Sequence, residues 1–258
     1  SARETTSRVA VGAIARQLLS EFGILIVSHV IAAGPVRLER PVSWEELVAL
    51  SEKQEVLLGC ADPETEQKMK EVVDQAYRTG DTVGGVFEVV ARGLPPGLGS
   101  HATWDSRLDG RLAQAIVSIQ AVKGVEIGFA AEGAASFGSQ VQDTIHYDKG
   151  LRRFHRGANR AGGLEGGMTN GEDLLVRGLL KPISTLRRPL ASVNLETREP
   201  AEAAYERSDV CVLPAAGVVG EAMVALTLAQ AFLEKFGGDS LEETRRNYDG
   251  YLEQVRNF

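Results

Sequence analysis

Apolar residues recur along this chain at two different spacings, which separate its predicted helices from its predicted strands. In four segments they lie three or four positions apart with polar residues between them, a pattern typical of amphipathic helices. These segments are residues 2–22, 62–80, 108–119 and the stretch that follows Ser240. A fifth segment, residues 221–236, is apolar on nearly every side and therefore predicts a buried helix.

Runs rich in β-branched and apolar residues predict five strands between these helices. They cover residues 24–32, 82–90, 125–127, 174–180 and 190–195. Helices and strands are interspersed but do not alternate as clean βαβ units, which favours an α+β fold with antiparallel sheet over a doubly wound fold. Since no linker or internal repeat divides the chain, we predict a single domain over residues 1–258.

Three helix starts are marked by side chains that satisfy free backbone N–H groups. In a capping box, a Ser or Thr at the N-cap and a Glu three positions later bond each other's backbone. A Pro in the first turn after an Asp is a second start signal. The three starts are Ser43 with Glu46, Asp62 with Pro63, and Ser240 with Glu243.

The charge balance and cysteine content narrow the class of protein. The chain has 28 Lys+Arg and 35 Asp+Glu, a net charge of −7, which argues against a nucleic-acid partner. No uninterrupted apolar run reaches the ~18–20 residues that span a bilayer, so we expect no membrane partner. Cys60 and Cys211 fit no metal spacing, which indicates reduced thiols and a cytoplasmic protein.

A glycine-rich segment is the first candidate for a ligand site. Residues 150–171 hold seven glycines, spaced unlike either a dinucleotide-binding or a P-loop motif. Two interpretations stay open, namely a loop whose backbone approaches a ligand closely and a solvated surface loop. Its arginines are Arg152, Arg153, Arg156 and Arg160.

Two short segments combine cations with hydroxyls or a carboxylate. Residues 181–185 follow a strand and offer an ammonium group and two hydroxyls to a phosphate, or form a strand end with a proline turn. Arg207 and Asp209 lie two positions apart on a predicted strand and would face the same side. They would bind an anion and act as a base, or form a structural ion pair.

The four histidines show no metal-ligand spacing. We interpret His29, which lies in a predicted buried strand, as a core residue with a satisfied side chain. His146 and His155 lie near the arginine-rich stretch, and His101 follows a loop rich in Gly and Pro.

Five segments in order resemble the chorismate synthase family. They read SARETTSRVAVGAIA, IQAVKGVEIG, NRAGGLEGGMTNGED, LLKPISTL and RSDVCVLPAAGVVGEAM, and EKFGGDSLEET adds to the match. The resemblance covers essentially the whole chain. It implies a β-α-β sandwich of antiparallel sheets with helices, assembled as a homotetramer. It also implies that the family's N-terminal region, which holds its active-site histidines, is absent from this sequence.

The resemblance implies a lyase reaction in the shikimate pathway of aromatic amino acid biosynthesis. Members of the family convert 5-enolpyruvylshikimate-3-phosphate to chorismate and phosphate by a 1,4-anti elimination. The reaction needs reduced FMN, for which NADPH is one source of electrons. The alternative is a non-catalytic flavin- or anion-binding fragment, or an assembly module, of the same family.

Carried onto matching positions, the resemblance also implies roles for individual residues. Asp209 is the expected catalytic residue, in proton transfer near flavin N5. Ser1, Arg3 and Arg207 are the expected substrate contacts. The expected FMN contacts are Ser1, Gln120, Ala121, Gly166, Lys181, Pro182, Ile183, Ser184, Thr185 and Arg207. No catalytic histidine is assigned, because none of the four lies in a matching motif.

Overall fold

The computed structural model describes residues 2–258, in which helices and strands are interspersed. The helices are α1 Ala2–Ser20, α2 Trp44–Ser51, α3 Pro63–Thr79, α4 Leu108–Val117, α5 Ala130–Ala134, α6 Gly138–Val141, α7 Leu213–Phe236 and α8 Leu241–Arg256. The strands are β1 Leu25–Ala33, β2 Val36–Arg37, β3 Gly85–Arg92, β4 Val122–Ile127, β5 Ile145–Asp148, β6 Arg153–Arg156, β7 Leu164–Glu165, β8 Met168–Thr169, β9 Leu174–Leu180, β10 Ala191–Val193 and β11 Pro200–Glu202.

A five-stranded sheet is the centre of the fold. Its strand order is β2-β1-β3-β9-β4, and every neighbouring pair is antiparallel. Three further two-stranded hairpins, β5–β6, β7–β8 and β10–β11, lie outside it. The predicted α+β class with antiparallel sheet is therefore confirmed.

The two faces of this sheet have different chemistry because side chains alternate along each strand. On one face, Ile26, Phe87 and Val176 join the main hydrophobic core together with residues of α1, α4 and α7. On the other face, Val27 and Val90 form a small cluster with Leu47 of α2. The helical layer on the first face is the one that the expected β-α-β sandwich requires.

Helix α7 is the central helix of the core and lies directly against the sheet. It contacts β1, β3, α1 and α4. Two glycines on its sheet side allow the close approach: a Cβ on Gly217 would lie 2.9 Å from Ser28 Oγ, and one on Gly220 would lie 2.5 Å from Phe87 Cε2. Length and apolar composition alone would let α7 cross a membrane, but 67% of its most apolar stretch is buried in this fold.

The three predicted helix starts are confirmed, but only one of the two predicted capping boxes is complete. Ser43 and Glu46 form a complete capping box, and Asp62 accepts from the Thr65 N–H at the start of α3. At α8, Ser240 accepts from the Glu243 N–H. The Glu243 carboxylate, however, accepts from the N–H of Asp239 at 3.0 Å rather than from that of Ser240.

Several predicted boundaries are wrong. The strand at 82–90 begins later, at Gly85. The strand predicted around Arg207 is absent, and α7 begins at Leu213, eight residues before the predicted start. Pro214 suits the first turn of a helix, and Gly217 and Gly220 are positions of close packing against the sheet.

Candidate functional site

Several of the predicted ligand contacts meet at one corner of the sheet, where β9 ends beside the start of β4. We call this group the corner cluster. It consists of Gln120, Ala121, residues 181–185 and residues 207–209.

Hydrogen bonds connect the first parts of the corner cluster. The Lys181 N–H donates to the Ala121 carbonyl at 2.9 Å, which continues the β4–β9 pairing past Leu180. Gln120 Nε2 donates to Glu4 Oε2 at 3.3 Å, so the start of α1 lies beside the end of α4. Sheet pairing thus brings Ala121 and Lys181 together, although they lie about sixty residues apart in the sequence.

Residues 181–185 are held in place by two side-chain hydroxyls. Thr82 Oγ1 donates to the Ile183 carbonyl at 2.6 Å. Ser208 Oγ donates to the Thr185 carbonyl at 3.0 Å. The second bond brings the segment containing Arg207 and Asp209 to the same corner.

The backbone of Ala121 is in the left-handed region, with φ of +67°. An L-residue with a Cβ pays a conformational cost there, and such positions cluster at ligand sites. This residue turns the chain from α4 into β4.

The electrostatics of the corner cluster suit an anion. Within residues 2–258, neither Lys181 nor Arg207 makes a salt bridge, and Lys181 Nζ donates only to the Pro182 carbonyl at 3.4 Å. The nearby Glu4 carboxylate is held by Arg8 and Gln120. The hydrogen bond from Arg8 lowers the pKa of Glu4. The two cations are therefore not neutralised from within the described chain.

Gly166 lies away from the corner cluster. It forms the exposed turn between β7 and β8, with φ of +60°. The next carbonyl, of Gly167, accepts from the N–H of Leu108 at the start of α4. Gln120 follows the other end of that helix, and ten residues of helix rise ~15 Å. Within one chain, Gly166 is therefore not close to the other expected flavin contacts. Its role in flavin binding stays a prediction.

Three of the remaining predicted site residues lie in exposed parts of the chain. Arg207 and Asp209 are exposed in an extended segment without strand pairing, so the argument that strand alternation orients them together is wrong. They form no ion pair with each other in the described part of the chain. Arg3 is exposed in the first turn of α1, and Ser1 lies outside the described residues.

The arginines of the glycine-rich segment are not near residues 181–185. Arg156 pairs with Glu165, and Arg152 donates to Asn257 Oδ1 at 2.6 Å. The β5–β6 hairpin that carries them lies against α8 instead. Within a single chain, these arginines therefore do not join the corner cluster.

A buried polar cluster on the second face of the sheet was missed in the sequence. His29 Nε2 lies 3.0 Å from Glu88 Oε1, and Arg177 Nε donates to Glu88 Oε2 at 2.6 Å. Arg177 also donates to Glu126 at 3.0 Å. His29 Nδ1 has no partner among the described residues, so the prediction of a satisfied side chain holds for one ring nitrogen only.

The pKa of Glu88 shows how these contacts compete. Burial acts to raise the pKa of this carboxyl, but the hydrogen bond with His29 and the charge of Arg177 outweigh burial, and the net pKa is lowered. A sequence signal for this cluster was present, since Glu88 and Arg177 each interrupt a run of apolar residues in the middle of a strand.

The fold and the corner cluster together define an α+β protein with two exposed cations, Lys181 and Arg207, that make no salt bridge within the described residues. The sequence model of the family described as chorismate synthase matches residues 1–233. The chain therefore belongs to the chorismate synthase family, and membership of this family implies a flavin cofactor.

Individual relatives agree with this assignment. The chorismate synthase of Solibacter usitatus (strain Ellin6076) is 81% identical over 258 residues, covering 100% of this chain and 66% of its own length. That of Koribacter versatilis (strain Ellin345) is 63% identical over 263 residues, covering 100% and 67%. A crystal structure of chorismate synthase has a TM-score of 0.85 at 44% identity, covering 100% of this chain and 71% of its own. The chain spans about two thirds of the length of the curated relatives it matches.

Proposed function

We propose that this chain acts as a chorismate synthase. The reaction is a 1,4-anti elimination of phosphate from 5-enolpyruvylshikimate-3-phosphate, and it requires reduced FMN. The observation that carries the proposal is the family match over residues 1–233. The unpaired cations of the corner cluster support it, because substrate and cofactor each bring a phosphate.

The residues of the corner cluster fit a flavin with a phosphate group. Lys181 and Arg207 are exposed and make no salt bridge within the described residues, and Ser184 and Thr185 add hydroxyl donors. Reduced FMN, when bound, supplies the electron density that assists departure of the phosphate. In our proposal the chain's cations bind the two phosphates, and Gln120 and Ala121 contact the flavin.

Asp209 is the residue that we propose for proton handling. It would hold and move a proton at flavin N5 while Arg207, two residues away, binds phosphate. Positioned acid–base groups contribute ~10²–10⁴-fold to rate. We therefore expect Asp209→Asn to lower turnover by about that factor with little change in flavin affinity, measured by flavin titration alongside the assay. Turnover equal to that of the wild type would contradict this role.

The activity itself is tested by an anaerobic assay with reduced FMN and 5-enolpyruvylshikimate-3-phosphate, in which chorismate and phosphate are followed together. Stoichiometric formation of both products supports the proposal. Flavin binding without turnover would instead support the second candidate, a non-catalytic flavin- or anion-binding part of the family. Lys181 and Arg207, which are exposed and unpaired in the described part of the chain, are compatible with this candidate too, because binding an anion needs no catalytic group.

The family resemblance extends the proposal to assembly and environment. We propose a cytoplasmic homotetramer with no nucleic-acid or membrane partner, and NADPH as one source of electrons for FMN. Sedimentation velocity measures the assembly directly, and a species of monomer mass at all concentrations would contradict the tetramer.

A further inference from the structure

A large groove lies between the β5–β6 hairpin and the second half of α8. Its volume is 910 Å³, within the range of pockets that bind small molecules. Its floor is formed by residues 93–97 and 168–172. No residue of the corner cluster lines it, so it is a separate site.

The walls of the groove are mainly apolar and are fixed by the core beneath them. Tyr248 is buried and packs edge-on against Phe236 at 5.2 Å between ring centroids. Tyr251 is anchored by a hydrogen bond from its hydroxyl to the Pro96 carbonyl at 2.8 Å. Phe154 of β6 is 52% exposed on the opposite wall. A flat aromatic or other apolar ring would remove these surfaces from water.

The rim of the groove is rich in arginine. Four arginines line it, of which Arg156 pairs with Glu165 and Arg152 bonds Asn257. The other two, Arg153 and Arg256, make no salt bridge in residues 2–258. The charge of Arg153 nevertheless helps to lower the pKa of Asp148 on the neighbouring strand.

Both lining carboxylates are already engaged. Glu165 accepts from the Arg156 guanidinium, and Glu172 accepts from the Arg156 backbone N–H at 2.6 Å. In addition, Asn170 Nδ2, in the floor, is buried without a partner among the described residues, while Asn170 Oδ1 accepts from the Glu172 N–H. The groove therefore offers unpaired donors beside apolar walls.

We propose that this groove binds a small amphipathic anion, namely an aromatic or apolar ring system that carries a carboxylate, sulfonate or phosphate. The ring lies between Phe154 and the tyrosines of α8. The anionic group is bound by Arg153 and Arg256, and one of its oxygens supplies the acceptor that Asn170 lacks. The proposal does not rest on the proposed synthase reaction, since no residue of the corner cluster lines the groove.

The test compares two fluorescent probes that differ in charge. 8-Anilinonaphthalene-1-sulfonate carries the anion, and N-phenyl-1-naphthylamine has the same ring system without it. We expect the sulfonate to bind at one site per chain and more tightly than the neutral probe. The double variant Arg153→Gln/Arg256→Gln should weaken sulfonate binding by about tenfold or more, since it removes charge-assisted hydrogen bonds, and leave the neutral probe unchanged.

A matched control removes the same net charge elsewhere. Lys149 in the hairpin turn and Arg246 on the outer side of α8 are exposed and do not line the groove. Lys149→Gln/Arg246→Gln should therefore keep the wild-type affinity. If both double variants bind the sulfonate equally, the proposal is overturned.

A second variant tests the apolar walls. Val255→Trp places a large side chain in the groove, at a position on the last turns of α8. We expect it to reduce binding of both probes, with circular dichroism confirming that the helix content is kept. Undiminished binding of both probes in this variant would place them outside the groove and refute the assignment, and the arginine variants decide the matter if Val255→Trp does not fold.

Discussion

At the scale of single residues, two buried glutamates have opposite pKa shifts because their partners differ. For Glu88, burial alone would raise the pKa, but His29 and Arg177 on either side lower it overall. For Glu221 in α7, burial raises the pKa, and the Arg16 guanidinium 2.6 Å away offsets only part of this effect. Arg16 is itself 44% exposed, so its charge is partly screened by solvent.

Arg177 is the only cation that bonds both Glu88 and Glu126 among the residues described here. Arg177→Met leaves the buried Glu88 and the half-buried Glu126 without that partner. We expect a loss of about 3–5 kcal/mol in the free energy of unfolding at neutral pH. Urea denaturation measures it. The exposed pair of Arg246 with Glu243 is the control, since Arg246→Met should cost only about 0–1 kcal/mol. Equal losses in the two variants would contradict the assignment of a stabilising network.

Glu221→Gln tests the raised pKa through its effect on stability. The folded-state pKa of the Glu221 carboxyl lies above its unfolded value of 4.5. The protonated carboxyl therefore contributes its full stabilisation of the fold below about pH 4.5. This contribution is lost as the pH rises through the folded-state pKa. The amide does not titrate, so the stability of the variant relative to the wild type should increase between about pH 4.5 and pH 7. Urea denaturation across this range measures the difference, and a constant or falling difference would contradict the prediction.

At the scale of elements, α7 packs on the sheet through glycines, and the ring of Phe87 lies between Gly178 and Gly220. Phe87 is fully buried and cannot move aside cheaply. We therefore expect Gly220→Ala to destabilise by about 1–3 kcal/mol, despite the higher helix propensity of alanine.

Gly250 on α8 is the matched control for this substitution. A Cβ there would meet nothing within 4 Å, so Gly250→Ala should stabilise by up to about 1 kcal/mol. Urea denaturation of both variants gives the comparison. A stabilising Gly220→Ala would show that Phe87 repacks freely.

The elements also show which parts of the fold were predictable from the sequence. Strand β9 was predicted with its observed bounds, because an apolar run between polar residues is a local signal. The start of α7 was not predicted. Gly217 and Gly220 favour a helix here only because they let it pack closely against β1 and β3, and these strands lie far away in sequence. The corner cluster follows the same division: its segments were recognisable, but the β4–β9 pairing that joins Ala121 to Lys181 is long-range.

At the scale of the whole molecule, a chain of net charge −7 is proposed to bind anions. The net negative charge of the chain repels anions, so the affinity for an anion must come from local cations that are not paired with carboxylates. Lys181 and Arg207 meet this condition, and because they are exposed and make no salt bridge within residues 2–258, replacing them should change stability little.

Binding of FMN should therefore stabilise the whole chain through its phosphate. At a free FMN concentration of about 100 times Kd the gain is ~2.7 kcal/mol, or roughly 5–11 °C in Tm for a domain of this size. In Lys181→Gln/Arg207→Gln the Tm shift at the same FMN concentration should be clearly smaller, because charge-assisted bonds to phosphate are lost. Riboflavin, which lacks the phosphate, should shift the Tm of both proteins equally. Differential scanning fluorimetry with both ligands measures this, and an FMN shift that is unchanged in the variant would place the phosphate elsewhere on the molecule.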